Sequence, residues 1–177
     1  MVSQMQGFQF KKLSTAVVSA FVLAGVAQAD LDHALQYSLK DANTGVHTSL
    51  SKLKGKYKAI YLDFFASWCG PCQLEIADVI KMHNRLAAKG VDFIGMNVGD
   101  KWDAMKKDMA ARHINYTVLH DENGTKLESL LGISGLPVVI ILDGRTLKEK
   151  GRWTSIDTSG GLIKEQLKMM KSLGVKG

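Results

Sequence analysis

The chain has two cysteines, Cys69 and Cys72, and they lie together in Trp68-Cys69-Gly70-Pro71-Cys72. A pair separated by two residues can close a small disulfide, exchange it with another thiol, or supply half of a metal site. Two sulfurs in all exclude a multi-disulfide scaffold and a four-cysteine zinc site. No second CxxC or HxxxH completes a zinc tetrahedron, and no His follows Cys72 to make a haem-attachment site. A four-residue loop also adds little as a structural crosslink, because loop-closure entropy grows with loop length. Thiol exchange is the favoured chemistry, and it needs a thiolate at ambient pH.

The neighbouring segments place the pair where a thiolate is favoured. Tyr57–Phe65 is a β-branched and aromatic run after the Gly55-Lys56 turn signal, with the near-continuous apolarity of a strand buried on both faces. From Pro71 onward, Ile76, Val79, Ile80, His83, Leu86 and Ala87 recur at helical spacing, opposite Asp78, Lys81, Asn84 and Arg85, until Gly90 closes a helix of about five turns. Cys69 therefore falls at a helix start, beside unpaired backbone N–H groups and the positive end of the dipole. Cys72, one turn deeper, is expected to be less exposed and placed to attack a mixed disulfide formed at Cys69. Pro71 suits the first turn, where its missing N–H would be unpaired in any case.

Alternation continues through strand Val91–Val98, helix Lys101–Arg112, strand Tyr116–Leu119, helix Thr125–Leu131 and strand Val138–Leu142. A turn at Asp143-Gly144-Arg145, strand Lys148–Trp153 and helix Gly161–Leu173 complete the pattern, while Leu35–Leu39 reads as an edge strand and Gly45 as a turn. The expectation is an α/β domain with a sheet covered on both faces and an antiparallel hairpin near its end. Length and composition agree: 177 residues with 46% hydrophobic and 23% charged side chains suit one core, and 2 Pro with 17 Gly exclude collagen-like and long disordered chains. The net charge of +6 is spread among acids, without the basic helix or aromatic-basic array that a nucleic-acid partner requires.

The amino terminus reads as an address. Lys11 and Lys12 precede an apolar stretch, Leu13–Val26, and Ala27-Gln28-Ala29 is a small-x-small cleavage site. The apolar stretch is shorter than the roughly 20 residues of a spanning helix, so a cleaved signal over residues 1–29 is expected, with residues 30–177 as the exported domain. Retention as a membrane anchor facing the periplasm is the alternative. In an oxidising compartment a CxxC is a thiol-exchange candidate.

The segment Asp63-Phe64-Phe65-Ala66-Ser67-Trp68-Cys69-Gly70-Pro71-Cys72 resembles the active-site segment of the thioredoxin superfamily. Cys72-Gln73-Leu74-Glu75, the stretch Phe93–Val98 and Gly135-Leu136-Pro137 are similar, more closely, to exported TlpA-like thiol-disulfide reductases. The resemblance extends over roughly residues 35–172. It implies a thioredoxin fold with a central mixed sheet, helices on both faces, and one extra strand–helix insertion before a cis-proline at Pro137. It further implies a redox disulfide Cys69–Cys72, partner docking by Trp68, Gly70, Pro71, Leu136 and Pro137, and reduction of disulfides in partner proteins. From spacing alone, Pro137 remains open as a plain proline leading into a strand. Asp63 matches the thioredoxin carboxylate that takes a proton from the resolving thiol, although Gly95 stands where thioredoxins usually carry a partner lysine; the other reading is a strand end in solvent. Glu75 matches an acid of cytochrome c maturation reductases, or is an exposed first-turn Glu favoured by the helix dipole.

No cofactor or metal is expected. The partners implied are disulfide-bearing proteins and an upstream electron donor, such as a membrane thiol reductase, with the protein itself a monomer. Trp102, Trp153, Met105 and Met109 read as packing residues, His83 as a satisfied core residue, and His33, His47, His113 and His120 fit no metal spacing. The competing functions are Cu(I) delivery through the two thiolates and an interaction module with a dormant disulfide. Peroxidase-type relatives are disfavoured, because their reactive cysteine does not normally sit in such a WCxxC.

Overall fold

The computed structural model describes residues 30–154 and 161–177. The segment read as an export signal, 1–29, lies outside them.

Every residue of strand β3 (Ala59–Phe65) is buried, as the unbroken apolar run requires. It pairs in parallel with β4 (Val91–Val98) and antiparallel with β6 (Val138–Asp143). With β1 (Leu39–Asp41), β2 (His47–Thr48), β5 (Thr117–Asp121) and β7 (Glu149–Trp153), these strands form one mixed sheet in the order β2-β1-β5-β4-β3-β6-β7. Helix α1 occupies the described residues 30–36; α2 (Gly70–Leu86), α3 (Trp102–Ala111), α4 (Thr125–Leu131) and α5 (Gly161–Ser172) follow.

The two-residue period of β3 divides the core. Tyr61 and Phe65 pack with Ile76, Val79, Met82 and Leu86 of α2, Met105 and Met109 of α3, and Met170 of α5. Ile60, Leu62 and Phe64 pack on the other face with Leu31, Ala34 and Leu35 of α1 and Leu127 and Leu131 of α4. Asp63, between Tyr61 and Phe65 in the alternation, is thereby turned toward the face that α2 covers. Each fully buried apolar side chain contributes about 1.5–3 kcal/mol, so five buried side chains along α2 hold the helix start in place. The architecture is the α/β arrangement expected, with β4, α3, β5 and α4 lying between Cys72 and Pro137.

Three local expectations are corrected. Leu35–Leu39 is not an edge strand: residues up to 36 are helical, because Leu31, Ala34 and Leu35 form one apolar helical face on the core, and the strand begins at Leu39. The edge is instead the small β1–β2 hairpin, turning at Gly45 with φ +73°. Strand β5 runs on to Asp121, because Lys40 and Asp41 of β1 pair with His120 and Leu119. The hairpin turn after β6 extends beyond Arg145: the Leu147 N–H donates to the Asp143 carbonyl at 2.7 Å, with Leu147 at φ +60°.

Gly95 of β4 is in register with Asp63. A Cβ there would meet Phe65 at 2.8 Å and Tyr116 and Val118 at 3.1 Å each. All three neighbours are buried and cannot yield freely. Gly95→Ala is expected to destabilise the protein by about 1–3 kcal/mol through overpacking, outweighing the gain of about 0.4–1 kcal/mol usual for an unstrained Gly→Ala. Chemical denaturation measures it, and equal or higher stability in the variant would contradict this packing.

Candidate active site

Strand β3 delivers the chain to its carboxyl end at Phe65, and four residues later Cys69 caps α2. The Cys72 N–H donates to Cys69 Sγ at 3.2 Å, so the sulfur takes one of the helix's unpaired donors. Pro71 sits in the first turn, where no N–H is missed. Cys69 and Cys72 are joined as a disulfide with a Cα–Cα distance of 5.3 Å. Contrary to the expected gradient in exposure, Cys69 is as buried as Cys72, at 3% and 2%. Trp68 beside them is 66% exposed, and Leu74 on α2 is 65% exposed.

The turn before Cys69 is held at all three polar groups of Ser67. Its N–H and Oγ donate to Asp100 Oδ2 and Oδ1 at 2.8 and 2.7 Å, and its carbonyl accepts from Gln73 Nε2 at 2.9 Å. Asp100, 4% exposed, also accepts from Asn97 Nδ2 at 2.7 Å. Asn97 Oδ1 is then left as an acceptor, so the His120 contact at 3.1 Å is an Nδ1–H donation. This network ties the loop to the ends of β4 and β5. Sequence reasoning missed Ser67, Gln73 and Asp100, because an acid after a glycine turn carries no local sign of what it will meet.

Asp63 is 2% exposed, so the solvent-facing reading of it falls. Burial pushes its carboxyl from the ordinary 3.8 up to about 7, against the lowering effect of a hydrogen bond from Tyr116 Oη at 3.1 Å. The sequence marks Tyr116 only as the start of a strand; the available signal is a phenol, a group that seeks a partner when buried. Glu75 is the sixth residue of α2 and is half-buried, so it is not the exposed first-turn residue allowed for. Its Oε2 is buried without a partner. Burial first, then the charges of Asp63 and Asp78, raise Glu75 to about 7. Two carboxyls thus sit near neutrality on the face of the sheet that carries the disulfide.

The peptide bond Leu136–Pro137 is cis. Pro137 is buried and immediately precedes Val138, which pairs with Phe64, so the sheet register sets it at the end of β3 from which the disulfide loop departs. Leu136 is half-buried against both core clusters, while Gly70 and Pro71 are exposed.

The remaining polar and aromatic residues make other contacts. Trp102 stands edge-on to His120 at 5.4 Å beneath Lys40 Nζ at 4.1 Å, and Trp153 Nε1 donates to Glu165 at 3.1 Å. Met105 and Met109 are core. His83 packs edge-on to Phe93 at 5.6 Å and Tyr116 at 5.9 Å, but its Nδ1 is buried without a partner, so it is not the satisfied residue expected. Among the described residues no group of three or more His, Cys, Asp and Glu could hold a metal ion.

A buried dithiol pair at a helix start, with two carboxyls of raised proton affinity on the same face, is equipped to cycle between disulfide and dithiol. Comparison with known proteins points the same way. The chain is 29% identical over 114 residues to the thiol-disulfide oxidoreductase ResA of Bacillus subtilis, covering 63% of this chain and 62% of that protein. It is 32% identical over 90 residues to the thiol:disulfide interchange protein HelX of Rhodobacter capsulatus, covering 51% and 48%. The chain therefore spans less than two thirds of the length of these relatives. The crystal structure of a putative thiol:disulfide interchange protein DsbE from Chlorobium tepidum superposes with a TM-score of 0.67 at 28% identity, covering 76% of this chain and 92% of that one. Residues 31–147 match the AhpC/TSA family, and the chain belongs to that family.

Proposed function

We propose that the protein is an exported thiol-disulfide oxidoreductase that reduces disulfides in partner proteins. The observation that carries this reading is the Cys69–Cys72 pair at the start of α2, on the face of the sheet that also holds the buried Asp63 and Glu75 carboxyls. In the reduced protein the Cys69 thiolate attacks one sulfur of a partner disulfide. A Cys69–partner bond forms, the partner's S–S bond breaks, and the leaving thiolate takes up a proton. The Cys72 thiol then gives its proton to the Asp63–Glu75 carboxylate pair and attacks Cys69 Sγ. The Cys69–Cys72 disulfide forms and the second partner thiolate leaves. Two electrons pass to the partner, and the oxidised state described above is the end of the half-cycle.

Residues 1–29 act in this reading as a cleaved export signal and 30–177 as the periplasmic, monomeric enzyme, re-reduced by an upstream thiol donor. No described helix is long and apolar enough to cross a membrane. Exposed Trp68, with Leu136 and Pro137, receives the partner chain, and Gly70-Pro71 matches thioredoxin, a reductant. The substrate favoured is the haem-binding cysteine pair of an apocytochrome c. Glu75 supports that choice, since it stands where cytochrome c maturation reductases carry an acid.

Cys72→Ser leaves the attacking sulfur and removes the resolving one. The reduced variant is expected to accumulate covalent adducts with oxidised insulin and with exported proteins, all lost when Cys69 is also replaced by Ser. Wild type failing to reduce insulin, or adducts surviving the double substitution, would refute the assignment.

The proton acceptor must be ionised to act, so turnover is expected to rise as pH increases through about 7. Asp63→Asn and Glu75→Gln should each reduce that limb, and profiles unchanged in both variants would reject the role of the pair.

The same carboxyls affect stability with a definite sign. A folded-state value of about 7 for Asp63, against 3.8 when unfolded, means that the native state binds more protons between those limits. Stability of the oxidised protein therefore falls as pH rises from about 4 to 7, and Asp63→Asn should be stabilising at pH 8. Denaturation midpoints measured across that range test this; a midpoint that rises with pH, or a destabilised Asp63→Asn at pH 8, goes against it.

A further inference from the structure

We propose that Tyr116 is the positioning residue for Asp63: its phenol reaches across strand β4 through the gap left by Gly95 and holds the Asp63 carboxylate, in the place of a basic side chain. The sheet order makes this an unusual reach. Asp63 is on β3 and Tyr116 immediately precedes β5, with β4 between them. Strands lie about 4.8 Å apart, so the two backbones are separated by two strand spacings. A side chain on the middle strand would ordinarily stand in the way.

The middle residue is Gly95, in register with Asp63 on one side and Val118 on the other. Its missing Cβ is the space that the Tyr116 ring uses: a Cβ there would stand 3.1 Å from Tyr116 Cε2 and 2.8 Å from Phe65 Cε1. Tyr116 Oη thereby comes within 3.1 Å of Asp63 Oδ2, in a site where the tyrosine is itself only 4% exposed. The other in-register neighbour of Asp63, Val139 on β6, has no side-chain donor. Neither β4 nor β6 contains a Lys or Arg. The titratable groups that face this contact are Tyr61, whose phenol is engaged with Gln166 of α5 at 3.0 Å, and two residues of α2: Glu75, whose charge couples with that of Asp63, and His83, whose ring stands edge-on to Tyr116 at 5.9 Å. Tyr116 is thus the neutral donor that opposes desolvation of the carboxylate, where a Cβ-bearing residue at 95 would displace its ring.

A neutral donor and a lysine differ in consequence. A cation favours ionisation through charge as well as hydrogen bonding, whereas a phenol offers the hydrogen bond alone. The phenol also cannot easily ionise to compete: burial, and then the Asp63 charge, hold Tyr116 well above the usual phenol range. Asp63 therefore keeps its raised proton affinity yet remains ionisable near neutral pH.

The kinetic importance of this contact rests on the proton-transfer role proposed for Asp63; the contact's effect on Asp63 does not. The experiment follows the Asp63 carboxyl by carbon NMR across pH in the oxidised, carboxyl-labelled full chain, with Asp63→Asn identifying the signal and Glu75→Gln as a background that removes the coupled acid. Tyr116→Phe is expected to move the Asp63 midpoint up by about one pH unit, about a tenfold loss in the carboxylate-to-acid ratio at a given pH near neutrality. Site-specific 3-fluorotyrosine at 116, a stronger donor, should move it down. A midpoint unmoved by both replacements overturns the proposal. A midpoint shifted as expected, with an Asp63→Asn turnover profile identical to wild type, upholds the Tyr116–Asp63 contact and overturns only the proton-transfer role.

Discussion

The Cys72 N–H points at the sulfur of Cys69 across 3.2 Å because a fully buried strand ends at Phe65 and a helix begins at Gly70, leaving four residues to turn the chain. That one contact fixes where the sulfur sits relative to the helix dipole. Neither end of the turn is free to drift. Behind it, β3 is bonded on both sides over nearly its whole length; ahead of it, the apolar stripe of α2 is seated on the sheet. Between them Ser67 is pinned by Asp100 and Gln73. A helix terminus stabilises a nearby negative charge only within its first turn, so the rigidity of the junction matters as much as its location.

In the proposed cycle the carboxyls answer a second need. A dithiol that cycles must lose a proton from the resolving sulfur, and water has poor access to a cysteine that is 2% exposed. Burying Asp63 raises its proton affinity into the range where it can both accept and return a proton, and Glu75 reaches the same range partly because Asp63 is near. The arrangement is unfavourable for folding at neutral pH, since desolvated carboxylates oppose the compact state. On the proposed mechanism, stability is given up where proton transfer requires it. The hydrogen bond from Tyr116 limits that penalty without abolishing the shift.

Much of this was legible from the residues, and the rest was hidden for identifiable reasons. The central strand, the active-site helix, β4 and α4 follow from long apolar runs and helical periodicity, signals intrinsic to one segment. Asp63 was readable as buried because Leu62 and Phe64 flank it in such a run. The edge hairpin was not, since strands of three and two residues show no period, and only the last two residues of α1 fall within the strand expected over Leu35–Leu39, because a single helical turn of apolar residues gives little period to read. At the site, Cys69 and Cys72 declare themselves by spacing. Tyr116 and Asp100 lie 53 and 33 residues from the groups they bind, and only the registry of three strands brings them there. The burial of Cys69 was missed because the sequence indicates a helix start but not how closely neighbouring segments cover it.

The account stands on an acidic sulfur at residue 69, and the pH dependence of its alkylation tests that most directly. Reduced protein carrying Cys72→Ser, so that only one thiol can react, is treated with iodoacetamide between pH 4 and 10 and the rate constant followed. The account predicts a half-maximal rate well below the value of about 8.5 for a free cysteine. A rate that rises only around 8.5 or higher would show that the helix start confers no acidity and would contradict the account at its base.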